Sequence, residues 1–218
     1  MKAIDIQKPI LYNQILMSGN KVSESRLKEL IAAAMFAALT VIGAQIKIPL
    51  PAGVPVTLQT FFVILSGYLL GSFYGPLSQL IYLFAGLIGF PVFAEGGGPA
   101  YVLKPTFGYL VGYPLASFVV GKITYGKHVV RDLMSSRFQL GKVTKGRLLL
   151  AGMAGILAIF APGVAYLYFA TNYILQVSTP FSVLFTGGFL IFIPGDIIKL
   201  TTILIFLSFW TIRENSQN

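Results

Sequence analysis

Apolar residues in this 218-residue chain are gathered into long continuous stretches, which short polar segments separate. A helix needs about 20 mainly apolar residues to cross the hydrocarbon core of a bilayer, with a range of roughly 17–25. The pattern therefore predicts an all-α integral membrane protein with six transmembrane helices. The predicted spans cover residues 30–46, 57–73, 76–92, 105–121, 147–171 and 183–210.

The second, third and fourth predicted spans are short and contain several Gly and Pro residues. Interrupted spans are tolerated where they line a cavity inside a protein, and in transporters they often mark the binding site. This part of the chain is therefore expected to surround a cavity. The residues concerned are Gly86, Gly89, Pro91, Gly108, Gly112 and Pro114.

The distribution of polar residues divides the chain into three parts. Residues 1–28 are interrupted by Pro9 and by Ser18-Gly19-Asn20, and they lack the continuous apolar core of a signal peptide. We expect a loosely ordered cytoplasmic arm there, with a helix lying on the membrane surface as the alternative. Residues 29–212 are predicted to form the membrane domain and residues 213–218 a cytoplasmic tail.

Composition strengthens this interpretation. The chain is 56% hydrophobic and only 11% charged, whereas soluble domains carry about 25% charged residues. A single soluble core of this size could not bury so much apolar surface, so a lipid bilayer must surround much of it. The net charge is +9, but no nucleic-acid-binding motif accompanies it, and we predict no nucleic acid partner.

The positive charges indicate an orientation. Seven Lys or Arg residues lie in the 122–147 loop and five in the N-terminal arm, whereas the loops on the opposite side contain only Lys47 and Lys104. Cytoplasmic loops of membrane proteins carry an excess of Lys and Arg. Both termini and the 122–147 loop are therefore predicted to be cytoplasmic.

The sequence offers little for catalysis. It has no cysteine, and its only histidine is His128, which excludes Cys-ligated and multi-His metal sites. Residues 121–127 match the start of the phosphate-binding G-x-x-x-x-G-K-[ST] loop, but His128 stands where the magnesium-binding hydroxyl is required. We predict a protein that is not an enzyme, uses no metal or cofactor and does not hydrolyse ATP by itself.

Asp196 and Lys199 are the leading candidates for a binding site, because both lie well inside the last predicted span. A charge at that depth costs from about 2.5 to more than 10 kcal/mol, and such residues usually serve a function. Their i,i+3 spacing places both side chains on one helix face, and Pro194-Gly195 would loosen the helix just before them. The alternative is an ion pair that only holds the helices together.

Two outer segments supply further candidates. The stretch from Pro49 to Gln59 contains three prolines, which favour an extended cover, and it ends in the hydrogen-bonding residues Thr57 and Gln59. A plain loop and helix cap is the alternative. The second outer loop, which begins at Pro91 and runs to Tyr109, contains a run of three glycines that allows a ligand to approach the backbone closely. A plain flexible loop is the alternative. Its candidates are Glu95, Gly97, Gly98, Lys104 and Tyr109.

The first predicted span contains small residues at i,i+4 spacing. They form two pairs, Ala33 with Ala37 and Ala34 with Ala38. Small residues at this spacing allow helix backbones to approach closely in lipid. This face is expected to pack either inside the protein or against another protein.

Taken together, the chain resembles the BioY family, the biotin-specific substrate-binding components of energy-coupling-factor transporters. The resemblance covers nearly all of the chain after about residue 28. The segments that carry it are Val54-Pro-Val-Thr-Leu-Gln59, Gly67 to Gly71, Pro91-Val-Phe93 with the glycine run, Pro105-Thr-Phe-Gly-Tyr-Leu110 and Gly195-Asp-Ile-Ile-Lys199.

The resemblance implies a six-helix fold in the bacterial cell membrane, with a biotin pocket near the outer surface under the loop between spans one and two. It also implies an energising module as partner, made of a transmembrane scaffold subunit and two ABC ATPases. The small-residue face of the first helix would dock that scaffold. ATP hydrolysis would then reorient the binding subunit and deliver biotin to the cytoplasm.

The chemistry of biotin fits the candidate residues. Asp196 can accept hydrogen bonds from the ureido N–H groups, and Gln59 can donate one to the ureido carbonyl. Either Lys199 or Lys104 can pair with the valerate carboxylate. Packing against the ring system is expected from Tyr82, Phe93 and Tyr109. The alternatives are the same fold specific for another vitamin, a stand-alone secondary transporter and a membrane-embedded enzyme.

Overall fold

The computed structural model describes residues 4–50, 54–125 and 143–215. Within these residues the chain is almost entirely helical. The helices are α1 (Ile4–Gln45), α2 (Gln59–Leu87), α3 (Phe107–Tyr125), α4 (Lys145–Phe169), α5 (Phe181–Gly188) and α6 (Ile193–Asn215). Shorter elements are the strands β1 (Lys47–Ile48) and β2 (Val56–Thr57), the 3₁₀ turns Pro99–Leu103 and Leu190–Phe192, and a π-helical turn at Ala170–Ile174 that continues α4.

Four helical stretches of the described chain are long and apolar enough to cross a membrane: Arg26–Gln45, Gln59–Leu87, Lys145–Ile174 and Phe181–Phe209. The described part of the chain is therefore that of a helical membrane protein, with one two-residue strand pair. The count of six spans and the cytoplasmic termini stay predictions. The phosphate-loop resemblance ends at His128, and this residue and most of the basic 122–147 loop lie outside the described residues.

Helix α1 is longer than the sequence pattern indicated. The expected irregular arm before residue 28 is instead part of one helix that begins at Ile4 and continues without a break to Gln45. Residues 24–30 are mainly Glu, Arg, Leu and Lys, which are good helix formers. The helix can therefore continue beyond the apolar segment, so the change from polar to apolar residues near position 28 is not a helix boundary.

Helix α2 contains a sharp reversal at Gly71, whose φ of 72° and ψ of −169° only glycine adopts readily. The residues on either side contact each other in reverse order. Gln59 hydrogen-bonds to Tyr82, and the Ser66 hydroxyl accepts from Gln79 at 3.4 Å. Residues 59–70 and 72–87 are thus two antiparallel arms, which correspond to the second and third predicted spans.

The last predicted span is also divided. Helix α5 ends at Gly188, and the turn Leu190–Phe192 separates it from α6. Pro194 is the second residue of α6, where the missing N–H of proline removes no helical hydrogen bond. Pro194 and Gly195 therefore belong to the beginning of a helix and do not loosen the middle of one. Asp196 lies in its first turn, where a carboxylate is stabilised by the helix dipole.

Small residues hold the arms of α2 close to α3. A Cβ atom on Gly67 would lie 2.6 Å from the Ser117 carbonyl oxygen, and one on Gly121 would lie 2.4 Å from the backbone of Gly71. The buried Ser66 and Ser117 hydroxyls are 2.8 Å apart at the same contact. Close backbones and interhelical hydrogen bonds are the usual sources of helix association in lipid. They give the site a rigid base on α2 and α3.

Candidate ligand-binding site

A cavity lies between the start of α2, the turn Pro99–Leu103 and helices α3, α4 and α6. The free volume inside it is about 50 Å³, less than the roughly 300–1,000 Å³ of most small-molecule sites. Most of its surface is apolar or aromatic. The lining residues are Val54, Pro55, Thr57, Gln59, Thr60, Ala94, Tyr101, Thr106, Tyr109, Leu110, Tyr113, Ile159, Phe160, Phe192 and Lys199.

A charged cluster of three side chains forms one side of this cavity. The Lys199 Nζ donates to Asp196 Oδ1 at 2.9 Å and to Thr60 Oγ1 at 2.8 Å. Thr60 in turn donates to Asp196 Oδ1 at 3.1 Å. Lys199 and Thr60 line the cavity, and Asp196 lies behind them with only 4% of its side chain exposed. The i,i+3 prediction for Asp196 and Lys199 is therefore correct in geometry, and Thr60 is the member that it missed.

The second oxygen of Asp196, Oδ2, is buried and accepts no hydrogen bond from any described residue. A buried acceptor without a donor costs about 1–3 kcal/mol, and more when it is charged. The first oxygen already receives two donors. The cluster therefore has an acceptor to offer a ligand that carries N–H groups.

A second polar group lies around Gln59. Thr57 donates to Gln59 Oε1 at 2.8 Å, and Gln59 Nε2 donates to the Tyr82 hydroxyl at 2.6 Å. The Tyr82 hydroxyl donates to the Val92 carbonyl at 3.3 Å. Thr57 and Gln59 line the cavity, as expected from the sequence, whereas Tyr82 stands behind Gln59. Its role in this structure is to fix the orientation of the Gln59 amide.

Aromatic rings form the remaining wall. Tyr109 lines the cavity and its hydroxyl donates to the Gly188 carbonyl at 2.8 Å. Tyr101 also lines it, and burial raises the pKa of the Tyr101 phenol above its ordinary value, so this group stays neutral at physiological pH. Phe93 packs behind Tyr101 with ring centroids 4.6 Å apart and does not line the cavity. Tyr113, Phe160 and Phe192 line it but were not among the candidates.

The glycine run shapes the second outer loop and does not line the cavity. The backbone of Phe93 pairs with Gly96 in a tight turn, and the Gly98 N–H donates to the Gly86 carbonyl at 2.7 Å. A Cβ atom on Gly97 would lie 2.0 Å from the Phe90 carbonyl oxygen. Gly97 and Gly98 therefore allow the loop to fold against the end of α2, which positions Phe93.

The mouth of the cavity carries two more lysines. Lys104 is bonded to Glu95, with 3.1 Å from its Nζ to Oε2 and 3.1 Å to the backbone carbonyl. Its side chain is 40% exposed and that of Glu95 is 38% exposed. Neither residue lines the cavity. Lys47, in strand β1, donates to the carbonyl of Ala94, which does line it.

The segment that joins α1 to α2 is residues 46–58, and its described parts, 46–50 and 54–58, lie at the same mouth. Its strands pair antiparallel, with Lys47 opposite Thr57, and Val54, Pro55 and Thr57 line the cavity. Residues 51–53, with the second of the three prolines, lie outside the described residues. The extended cover that the prolines indicated is present on both sides of this gap.

The two alanine pairs of α1 differ in burial. Ala33 and Ala37 are buried, and Ala37 packs in the same apolar core as the aromatic wall. Ala34 and Ala38 are exposed. Ala33 and Ala37 therefore pack inside the protein and are not available to a partner. The two pairs can differ because each step of one residue along a helix turns the side chain by about 100°. Only Ala34 and Ala38 remain as a candidate docking face.

Comparison with known proteins gives a consistent result. The model of the BioY family matches residues 17–215. A probable biotin transporter BioY of Lysinibacillus sphaericus is 46% identical over 167 residues, which cover 77% of this chain and 78% of the relative. The biotin transporter BioY of Thermotoga maritima is 41% identical over 175 residues, covering 80% and 90%.

A solved structure is similar over most of the chain. It is the crystal structure of the S-component for biotin from an ECF-type ABC transporter. The TM-score is 0.67 at 27% sequence identity, and the match covers 84% of this chain and 90% of that one. The relatives are transporters and transporter components, in agreement with the prediction that this chain is not an enzyme.

Proposed function

The chain belongs to the BioY family, and we propose that it binds biotin as the substrate-binding component of an energy-coupling-factor transporter. The proposal rests on the family, on the relatives named as biotin transporters and on the similar biotin S-component. The observation in the structure that carries it is the charged cluster at one side of the cavity, where Lys199 lines the cavity and the buried Asp196 behind it has an oxygen, Oδ2, without a donor. The ureido ring of biotin has the two N–H donors that such an acceptor requires.

The charged cluster supplies the polar contacts. A ureido N–H donates to Asp196 Oδ2, a charge-assisted bond that is stronger than a bond between neutral groups. The Lys199 ammonium has three N–H groups, of which Asp196 and Thr60 occupy two. The third is directed to the ureido carbonyl. Gln59 is held by Thr57 and Tyr82, and its second amide N–H is a further donor at the same cavity.

The apolar lining supplies the rest of the affinity. The fused rings and the methylene chain of biotin are apolar, and Tyr109, Phe160 and Phe192 offer them an aromatic wall. Burial of apolar surface stabilises by about 25 cal/mol per Å². The cavity therefore provides polar groups for the ureido end and apolar surface for the remainder of the molecule.

The position in the cell follows from the charge distribution. The basic loop and termini are assigned to the cytoplasm by the excess of Lys and Arg. The α1–α2 segment and the cavity mouth then face the outside of a bacterial cell membrane. Biotin would enter from that side and leave into the cytoplasm.

Titration of the purified protein with biotin tests the function. We expect one site with a nanomolar dissociation constant, or about −12 kcal/mol, which for about 16 heavy atoms stays below the limit for small ligands. Excess biotin should also raise the melting temperature. Riboflavin and thiamine serve as controls for a site specific for another vitamin. A protein that gives neither heat nor thermal stabilisation with biotin would overturn the proposal.

The chain has no intact phosphate-binding loop of its own, so ATP-driven transport would require a partner that hydrolyses ATP. We propose an energising module of a transmembrane scaffold subunit and two ABC ATPases. The relative described as part of an ECF-type ABC transporter supports this. The exposed alanines Ala34 and Ala38 allow a second helix to approach the backbone of α1 closely.

The two alanine pairs give a matched test of docking. Ala34→Trp should keep biotin affinity within a few fold of the wild type but abolish co-purification of the scaffold and ATP-driven uptake. Ala33→Trp places the same bulk on the buried face, and it should reduce expression and binding together. Normal uptake by Ala34→Trp would remove this face from the mechanism. Uptake into vesicles without the ATPases would favour a stand-alone transporter.

A further inference from the structure

Three lysines lie around the cavity, and they differ in what neutralises them. Lys199 pairs with Asp196, and Lys104 pairs with Glu95. These are the two ion pairs of the described residues. Lys47 has no carboxylate partner among those residues, and its ammonium donates to the backbone carbonyl of Ala94. Lys47 is therefore the one lysine of the three whose charge is left uncompensated.

The position of Lys47 connects it to the cavity from two sides. Its backbone lies opposite that of Thr57 in the β1–β2 pair, and Thr57 lines the cavity. Its side chain reaches across to the carbonyl of Ala94, another lining residue. The ammonium is therefore held at the mouth, between the α1–α2 segment and the second outer loop.

The net charge therefore differs between the inner part of the site and its mouth. The buried cluster contains one positive and one negative charge, and so does the Glu95–Lys104 pair. Lys47 adds a net positive charge at the mouth. A ligand with a neutral polar ring at one end and a carboxylate at the other matches this arrangement, because complementary charge fixes the orientation of a bound molecule.

We propose that Lys47 binds the carboxylate of the ligand. The inference rests on the proposed function, and it assigns the ureido ring to the Asp196–Lys199 cluster and the valerate carboxylate to the mouth. On binding, the Lys47 ammonium forms a charge-assisted hydrogen bond to the carboxylate, either in place of its bond to the neutral Ala94 carbonyl or in addition to it. Such a bond is about twice as strong as one between neutral groups.

The assignment predicts a preference for the free acid. Biotin should bind more tightly than its methyl ester, which has the same rings and chain but no charge. Lys199 and Lys104 were the sequence-based candidates for this contact, but each has an acid as a partner in the structure. The preference should therefore depend on Lys47 and not on Lys104.

The experiment compares biotin with biotin methyl ester by calorimetry, or by competition where binding is tight. The proteins are the wild type, Lys47→Met, Lys47→Arg and the matched Lys104→Met. We expect the wild type to prefer the acid by about tenfold or more. Lys47→Met should bind the ester as the wild type does and lose the preference, and Lys47→Arg and Lys104→Met should retain it. The melting temperature of each ligand-free protein verifies folding.

Each other outcome contradicts the inference in a specific way. Equal weakening of both ligands in Lys47→Met would make Lys47 only a tether of the α1–α2 segment. If only Lys104→Met lost the preference for the acid over the ester, Lys104 and not Lys47 would be the residue that binds the carboxylate. A wild type that binds biotin without any preference for the acid would also exclude the Lys47 contact. Failure of the wild type to bind biotin at all would overturn the proposed function itself, which separates the two results.

Discussion

The two lysine–acid pairs among the described residues have nearly the same geometry and very different surroundings. The nitrogen–oxygen distance is 2.9 Å in Asp196–Lys199 and 3.1 Å in Glu95–Lys104. The side chains of the first pair are 4% and 13% exposed, and those of the second are 38% and 40% exposed. The first pair adjoins one side of the cavity between helices, and the second lies on an outer loop.

The contrast shows why distance alone does not rank an ion pair. An exposed pair contributes about 0–1 kcal/mol, because water and salt screen its charges. Breaking a buried pair from one side costs about 3–5 kcal/mol, because it leaves a charge without a partner where water is scarce. Only the buried pair also has a third polar partner, Thr60, and a carboxylate oxygen still free of donors. We therefore expect the two pairs to differ strongly in their effect on binding.

The largest effect is expected for Asp196→Ala. This change removes the acceptor of the ureido donors and leaves the Lys199 ammonium with Thr60 as its remaining partner. Calorimetry with biotin should show a loss of about 3 kcal/mol or more, or at least about 100-fold in affinity. The ligand-free protein should also melt at a lower temperature.

A double variant separates binding from stability. Asp196→Ala combined with Lys199→Met removes both charges, so the penalty of an unpaired ammonium disappears. Its melting temperature should recover towards that of the wild type while biotin binding stays lost. Recovery of both would mean that the pair only holds the helices together.

Lys199→Met should have the next largest effect. Asp196 keeps the hydrogen bond from Thr60, just as Lys199 does in Asp196→Ala, so the two variants differ mainly in the ligand contact that each one removes. We expect a loss of about 2 kcal/mol in biotin binding, since the ligand also loses a charged donor. Lys199→Arg, which keeps the charge, should lose less. Unchanged affinity together with a lower melting temperature would contradict a ligand contact.

Thr60→Val sharpens the comparison by leaving both charges in place. It removes the hydroxyl that accepts from Lys199 and donates to Asp196, with little change in shape. The expected loss in biotin affinity is about 1 kcal/mol, or roughly fivefold. Thr106→Val is the matched control, because its hydroxyl lies at the same cavity but contacts the Tyr101 phenol, at 3.4 Å. If Thr106→Val weakened biotin binding more than Thr60→Val, the contact between the Thr60 hydroxyl and the two charges would not be what matters for affinity.

The smallest effect is expected for Glu95→Gln. Its partner Lys104 is exposed and also bonded to the Glu95 backbone carbonyl, which the substitution keeps. Biotin affinity should stay within about threefold of the wild type, and the difference should disappear at high salt. A loss comparable to that of Asp196→Ala would remove the distinction between the two pairs.

The sequence predicted the polar part of the site better than its apolar part. Asp196 and Lys199 could be found because charges inside an apolar span are costly and therefore conspicuous. Thr57 and Gln59 could be found from their place at the start of a span. Phe160 and Phe192 could not, because an aromatic residue that lines a cavity has the same sequence signal as one that faces lipid.

The fold was predictable in a similar way. Long apolar segments predicted the helices, but the pattern does not show where one helix reverses within an apolar stretch. The reversal at Gly71 depends on one backbone conformation among many glycines. The pattern also could not decide which alanines face inward, because Ala33 and Ala34 differ by only one position and have the same composition around them. Tertiary packing makes that choice.

The reversal at Gly71 also bears on the order in which the site can be assembled. It brings Gln59 and Tyr82 together across only 23 residues, whereas Thr60 and Asp196 are 136 residues apart. Synthesis proceeds from the N-terminus, and nearby contacts form before distant ones. The hairpin can therefore present its amide and hydroxyl groups while α6 is still on the ribosome. The two charges would enter the bilayer last, and the protein can capture its ligand only after α6 has packed beside Thr60.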